Sequence, residues 1–531
     1  MDLQGSFHVY DTTLRDGAQQ EGLNLSVADK LNIARHLDGL GVGFIEGGWP
    51  GANPKDTEFF RRAALELDLK HARLTAFGAT RKAGMAAADD PQVAGLRDSG
   101  AGVVTLVAKS HVGHVEKALR TTVAENLAMI RDTVSHLRAE GQQVFLDAEH
   151  FFDGYRTDRS YALEVLRTAY DAGAEVIALC DTNGGMLPGW VADVVHDVID
   201  STGVRIGIHC HNDTGLAVAN TLAAVDAGAT HVQGCVNGYG ERTGNADLVN
   251  VVANLELKLD RQVLPAGLLR EATRIAHAVA EVTNVPPSAR QPYVGTSAFA
   301  HKAGLHASAI KVDPDLYQHM DPADVGNDMR LLVSDMAGRA TIELKGKELG
   351  FDLSGSPELV TRITNRVKEL ESQGYTFEAA DASFELLLVE EAEGMRPSYF
   401  EIESWRVITE TVQGAGAGEE AVSEATVKLR AGDARVVSTG EGNGPVNALD
   451  HALRQAIGQA YPAVAKFELI DYKVRILDQG HGTDAITRVL IETSDGTTSW
   501  VTVGVGHNVI EASWGALIDG VTFGLRRHHQ A

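Results

Sequence analysis

The chain has 531 residues, 44% of them hydrophobic, 22% charged and 55 of them glycine, a balance that fits several folded domains and excludes disordered or collagen-like architecture. Its 72 acidic residues against 47 basic ones leave a net charge of −25, a field that repels phosphate backbones and anionic lipid, so neither nucleic acid nor membrane is an expected partner. No apolar run approaches the ~18 residues of a membrane span, Met1-Asp2-Leu3-Gln4-Gly5 lacks signal-peptide character, and the three scattered cysteines Cys180, Cys210 and Cys235 make no disulfide framework; a reducing cytoplasm is the expected location.

A repeated phrase organises the first half: a helix end, a glycine stop, then a short buried strand. It occurs at Leu37–Glu46, Arg97–Val104, Asp171–Ile177 and Asp226–Val232. The glycine supplies a left-handed helix cap, and the β-branched run that follows suits a strand covered on both faces. With less regular candidates added, eight strands are predicted near Phe7–Thr12, Phe44–Gly47, Leu74–Phe77, Val103–Val107, Gln143–Ala148, Val176–Cys180, Arg205–His209 and His231–Cys235. Their mean spacing of about 32 residues is that of one βα unit, and eight such units fill the ~250 residues of a (β/α)8 TIM barrel. An open doubly wound sheet is the competing fold, and the even spacing favours closure.

The barrel is expected to occupy residues 1–275. Val285-Pro286-Pro287 then breaks a helix, and residues 276–393 read as a mostly helical linker. Residues 394–531 read as an α+β domain, with strand candidates Phe400–Ile408, Ala425–Leu429, Tyr472–Leu477 and Arg488–Glu492. Two glycine turns there, Gly440–Pro445 and Gly504–Asn508, each precede a helix and suggest a duplicated module. Gly414–Gly418 reads as a flexible loop. Gly504-Val505-Gly506 lacks the acidic partner of a nucleotide fingerprint.

Barrel enzymes carry their chemistry at the C-terminal strand ends. Here these hold Arg15 and Asp16, then Glu46, Lys109, Asp147 with Glu149, Thr182, His209 with His211, and Asn237 followed by Asn245. In His209-Cys210-His211 the period of two puts both imidazoles on one face. Two imidazoles and a carboxylate form a common divalent-metal set with open positions. Asp16 is the expected carboxylate, because closure brings the first strand beside the last two; a hydrogen-bonded pair of core histidines is the alternative. Arg15 suits an oxyanion, or a structural ion pair with Glu46 or Glu149. Glu149 reads as a base or orienting group, Asp147 as its same-face neighbour contacting Arg15, and Thr182 as a donor to a substrate carboxylate or a helix cap. The cysteines read as small buried residues, and Gly238–Gly244 as a tight turn near the site.

Asp11-Thr12-Thr13-Leu14-Arg15-Asp16-Gly17, His209-Cys210-His211 and Gly240-Glu241-Arg242-Thr243-Gly244-Asn245 resemble the motifs of the 2-isopropylmalate, homocitrate and citramalate synthases, metal-dependent barrel acyltransferases. The resemblance spans nearly the whole chain. Ile45–Asp56 and Asp147–Tyr155 are most similar to the citramalate synthase branch. It implies Asp16, His209 and His211 as ligands of a divalent metal ion (Zn, Mn or Mg), with Asn245 close by. Arg15 would stabilise the reacting oxygen, and Glu149 and Thr182 would hold the oxo-acid. His306 resembles the family's catalytic histidine, with His301 as a rival and Tyr317 as a tyrosine near the same site. Asp147 departs from the pattern, standing where a tyrosine often precedes the glutamate.

The implied reaction is condensation of acetyl-CoA with pyruvate, followed by thioester hydrolysis to (R)-citramalate and CoA, in a homodimer that takes an amino-acid effector, isoleucine. Activity on 2-oxoisovalerate or 2-oxoglutarate, an aldolase or lyase on the same barrel, and a non-catalytic amino-acid sensor are the competing functions. Phe77 and the surroundings of Val107 are the expected walls of the oxo-acid pocket.

Overall fold

The computed structural model describes residues 7–413, 419–477 and 485–530. The chain divides into two compact units, Met1–Phe299 with Met320–Asp328, and Ala300–His319 with Met329–Ala531.

The first unit is a closed barrel of eight parallel strands: β1 (His8–Asp11), β2 (Phe44–Gly48), β3 (Arg73–Ala79), β4 (Val103–Lys109), β5 (Gln143–Glu149), β6 (Val176–Asp181), β7 (Ile206–Cys210) and β8 (His231–Gly234). Closure is made by β8 against β1, with His8 opposite His231 and Asp11 opposite Gly234. This is why residues more than two hundred positions apart share one rim. The glycine stops act as expected: the helix Val27–Leu40 opens with a Ser26/Asp29 capping box and ends on Gly41 at φ 88°, where a Cβ would also lie 2.6 Å from Pro265.

Alternate residues of each strand face the interior, so columns of side chains climb through the barrel. The lower layer is an apolar plug of Tyr10, Phe44, Val103, Phe145 and Val176, with Phe44 and Phe145 edge to face at 5.2 Å. Two residues further along the same strands the columns turn polar, to Glu46, Thr105 and Asp147, all buried. A plug of aromatic rings below a ring of polar groups fixes where the chemistry sits.

In the second unit a short parallel pair, β9 (Ala300–His301) and β10 (Arg330–Leu331), precedes the helices Arg339–Glu348, Pro357–Ser372 and Asp381–Glu393. Then come two antiparallel three-stranded sheets, each followed by a helix. They are β11 (Phe400–Gln413), β12 (Glu419–Ala431) and β13 (Ala434–Gly442) with Pro445–Gly458, and β14 (Glu468–Ile476), β15 (Thr487–Ser494) and β16 (Ser499–Gly506) with Val509–Gln530. The duplicated texture is thus a repeated βββα unit over one apolar core. The third strand of each repeat escapes the sequence reading because it ends in the glycines of the turn. Those glycines have a steric cause: a Cβ on Gly440 would lie 2.4 Å from the Ala452 nitrogen, and one on Gly504 would lie 1.9 Å from the Ala512 carbonyl oxygen. Strand and helix touch backbone to backbone there. Gly414–Gly418 lies outside the described residues.

Candidate active site

The rim begins at the turn after β1. Asp11, fully buried, accepts from the backbone N–H and the hydroxyl of Thr13 at 2.8 Å each, and Thr13 Oγ1 in turn accepts from the Val236 N–H at 2.9 Å. Burial pushes the Asp11 carboxyl up to about 7 against these bonds. The clasp ties the β1 turn to the β8 turn and sets Arg15 and Asp16, just beyond it, at the mouth.

Asp16 Oδ2 lies 3.1 Å from His209 Nε2 and 4.0 Å from His211 Nε2, and the two Nε2 atoms are 3.4 Å apart. Among the described residues these three are the one His/Cys/Asp/Glu group able to converge on a single ion. Burial alone would raise the Asp16 carboxyl; the Arg15 guanidinium, then His209 and His211, reverse this and hold it far below the usual carboxylate range. His211 is lowered to about 4, first by burial and then by the charge of His209. For His209 burial works downward, but the bond to Asp16 and the charges of Asp16 and Asp147 carry it upward. Asp16, His209 and His211 would together hold a cation at this point.

The donor set fits a divalent ion on a further ground. Asn245, buried and paired by a backbone bridge with His211, donates its Nδ2 to the Tyr239 carbonyl at 3.1 Å, and its Oδ1 has no hydrogen-bond partner. An unpaired buried oxygen is costly unless something takes it. The tight turn that presents Asn245 needs its glycines: a Cβ on Gly240 would lie 2.5 Å from Asn245 Nδ2, and one on Gly244 would lie 1.9 Å from the Gly238 carbonyl.

Arg15 forms an ion pair and lines the cavity at the barrel mouth. Its Nε donates to Glu46 Oε1 at 2.5 Å and its Nη1 lies 3.5 Å from Asp16, while the guanidinium sits 3.8 Å over the Phe77 ring. Glu46 is itself anchored by the Tyr10 hydroxyl at 2.6 Å. The ion pair is with Glu46; Glu149 pairs instead with Lys109. Asp147 makes no hydrogen bond or ion pair with Arg15. Its Oδ1 accepts from Gln233 Nε2 at 2.8 Å, and burial, then the charge of Glu46, pushes it up to about 7. Thr182 is no cap of its own helix: its Oγ1 accepts from the His150 N–H at 2.8 Å, where His150 stands at φ 57° before the helix Phe151–Thr157. Its hydroxyl proton remains available to a ligand.

Arg15, Phe77, Glu149, Thr182, His209 and Arg242 are among the walls of one cavity of about 640 Å³. Gln233 is the residue that sequence reasoning missed: its Oε1 lies 2.9 Å from His209 Nδ1. The signal was a polar side chain in β8 two residues from His231, hence on the same face. The cysteines are buried and free.

In the second unit His306 and Tyr317 stack with ring centroids 4.1 Å apart, and His301 lies 6.0 Å from His306. His306 rides on the helix Gly304–Ile310. His301 is lowered by burial and then by His306.

The model of HMGL-like proteins matches residues 6–279, that of the homocitrate synthase post-HMGL domain matches 293–375, and that of the LeuA allosteric (dimerisation) domain matches 378–525. The chain is 68% identical over 527 residues to an (R)-citramalate synthase of Streptomyces coelicolor, covering 99% of this chain and 98% of that protein. The chain belongs to the (R)-citramalate synthase family. Two further members of this synthase family, from Synechocystis sp. and Aquifex aeolicus, are each 47% identical and cover 98% of this chain, with 96% and 98% of their own lengths. Among the described residues no helix is long and apolar enough to cross a membrane.

Proposed function

We propose that the chain condenses acetyl-CoA with pyruvate and hydrolyses the thioester, giving (R)-citramalate and CoA. The observation that carries this reading is the convergence of Asp16, His209 and His211 beside Arg15 in one cavity, in a chain 68% identical to a protein of that name. Asp16, His209 and His211, with Asn245 alongside, would hold a divalent cation (Zn, Mn or Mg), whose Lewis acidity polarises the keto group of the oxo-acid.

The chain's own groups do the rest. Thr182 donates its hydroxyl to the pyruvate carboxylate, and Glu149, paired with Lys109, orients the oxo-acid. His306, stacked on Tyr317, takes a methyl proton from acetyl-CoA; His301 is the alternative base. The resulting enolate carbon bonds to the keto carbon of pyruvate, and the oxygen that gains charge is met by Arg15. Glu46 fixes that guanidinium beforehand, so no reorganisation is needed as charge develops. Water then cleaves the thioester of citramalyl-CoA, releasing CoA as the thiol.

The C-terminal module acts as an effector domain for isoleucine, and the chain works as a homodimer in the cytoplasm. A cavity of about 740 Å³ at the start of the helix Pro445–Gly458, with Asn447, Arg454, Phe467 and Tyr472 among its walls, offers polar groups to an amino acid's charged end and aromatic surface to an apolar side chain. The test of the central reading is thiol release from acetyl-CoA and pyruvate by metal-stripped chain. Activity that returns only with added divalent ion supports it; turnover indifferent to chelation opposes it. For the effector, kinetics unchanged over a wide isoleucine titration would count against the assignment.

A further inference from the structure

Gln233 sits in the buried interior of the barrel between two groups with opposite needs. Its Oε1 lies 2.9 Å from His209 Nδ1, and its Nε2 donates to Asp147 Oδ1 at 2.8 Å and lies 3.3 Å from His231 Nε2. All four side chains are buried, with Gln233 at 1% exposure, so water does not replace a lost partner. A carboxamide has one accepting and one donating end. Turning it over would set an N–H against His209 Nδ1 and an oxygen against the Asp147 carboxylate. Asp147 therefore fixes which end of Gln233 faces His209.

We propose that Gln233 is a positioning residue for the metal centre, and that Asp147 acts through it. With Oε1 facing it, His209 Nδ1 carries the proton, and the Nε2 lone pair is left on the side of Asp16 and His211. Outer groups of this kind orient imidazole ligands and set their tautomer. The inference also accounts for Asp147: its carboxylate is committed to Gln233 on the strand beside the ligand, and its contribution is to aim that carboxamide.

This inference rests on the metal-centre reading, and the test separates the two. The full-length chain, stripped of metal, is titrated with Mn²⁺ by calorimetry at mildly alkaline pH, where Asp147 is ionised. Gln233→Leu removes both contacts at similar volume and is expected to weaken Mn²⁺ binding by about 10–100-fold. Gln233→Glu keeps an acceptor for His209 but faces Asp147 with a second carboxylate, and weakens binding too. Combining it with Asp147→Asn exchanges the two functional groups at constant charge. The carboxamide, now on β5, then donates to the carboxylate, now on β8, which accepts from His209, and affinity returns toward that of the unsubstituted chain. In His-labelled protein the same series reads the His209 tautomer by ¹⁵N shifts, which a merely structural role would not move. Unaltered Mn²⁺ affinity in Gln233→Leu and Gln233→Glu, or a double variant no better than Gln233→Glu, overturns the relay. If Gln233→Leu does not fold, the Gln233→Glu pair decides alone. No Mn²⁺ binding by the unsubstituted chain removes the metal centre itself, and the relay with it.

Discussion

Arg15 is asked to do two things at once, and substitution can separate them. Replacing it by methionine removes the donor aimed at the developing alkoxide, a loss of ~2.7–4 kcal/mol or about 10²–10³ in turnover. It also strands Glu46, which is fully buried and whose Oε1 receives Arg15 Nε at 2.5 Å. Breaking one side of such a buried pair costs ~3–5 kcal/mol of stability, to which the lost contact with Phe77, 3.8 Å away, adds roughly 0.5–2 kcal/mol. Arg15→Met should therefore be both slow and unstable. Adding Glu46→Gln neutralises the stranded carboxylate while leaving an oxygen for the Tyr10 hydroxyl, which now holds Glu46 at 2.6 Å. The double variant should regain most of the stability in urea denaturation and none of the turnover in a thiol-release assay. Near-normal turnover in the double variant would refute the oxyanion role, and stability that stays low would refute the account of the pair.

The remaining expectations concern separate parts of the chain. His306→Asn should lower kcat by about 10²–10⁴, as loss of a general base does, with Tyr317→Phe much milder because the stacked ring is kept; equal activity of His306→Asn and the parent would shift the role to His301. Asp56→Ala strands Lys30, whose Nζ meets Asp56 at 2.5 Å in a nearly closed interior, and should cost ~3–5 kcal/mol in denaturation. Gly504→Ala forces a methyl to within 1.9 Å of the Ala512 carbonyl; loss of ~1–3 kcal/mol should show in a fluorescence-detected transition of Trp405, Trp500 and Trp514, while Mn²⁺ affinity at the barrel site is kept.

What could be read from the chain was what periodicity writes plainly. Glycine stops and short β-branched runs mark a barrel because each βα unit repeats the same local instruction, and a period of two places His209 and His211 on one face whatever else the fold does. Closure then brings Asp16 to them. Partners set by long-range register were not legible: that Arg15 would settle on Glu46 and not Glu149, or that Asp147 would turn to Gln233 on β8, depends on which side chains share a layer across the barrel. The strands β13 and β16 were hidden for a different reason. Their glycines, read locally, mean a turn, and only the helix lying against them explains why no side chain is tolerated. Thr182 likewise reads as a helix cap, but that its hydroxyl would take the His150 N–H from the neighbouring strand end could not be read locally.

The most direct test of the assigned chemistry compares oxo-acids side by side. With metal-loaded chain and saturating acetyl-CoA, kcat/KM from thiol release is measured for pyruvate, 2-oxoisovalerate and 2-oxoglutarate, and the pyruvate product is resolved by chirality. One added methylene shifts selectivity only ~10–200-fold, so pyruvate should lead the larger acids by at least about tenfold, with (R)-citramalate as product. A higher kcat/KM for 2-oxoisovalerate or 2-oxoglutarate, or thiol release without citramalate, would contradict the account.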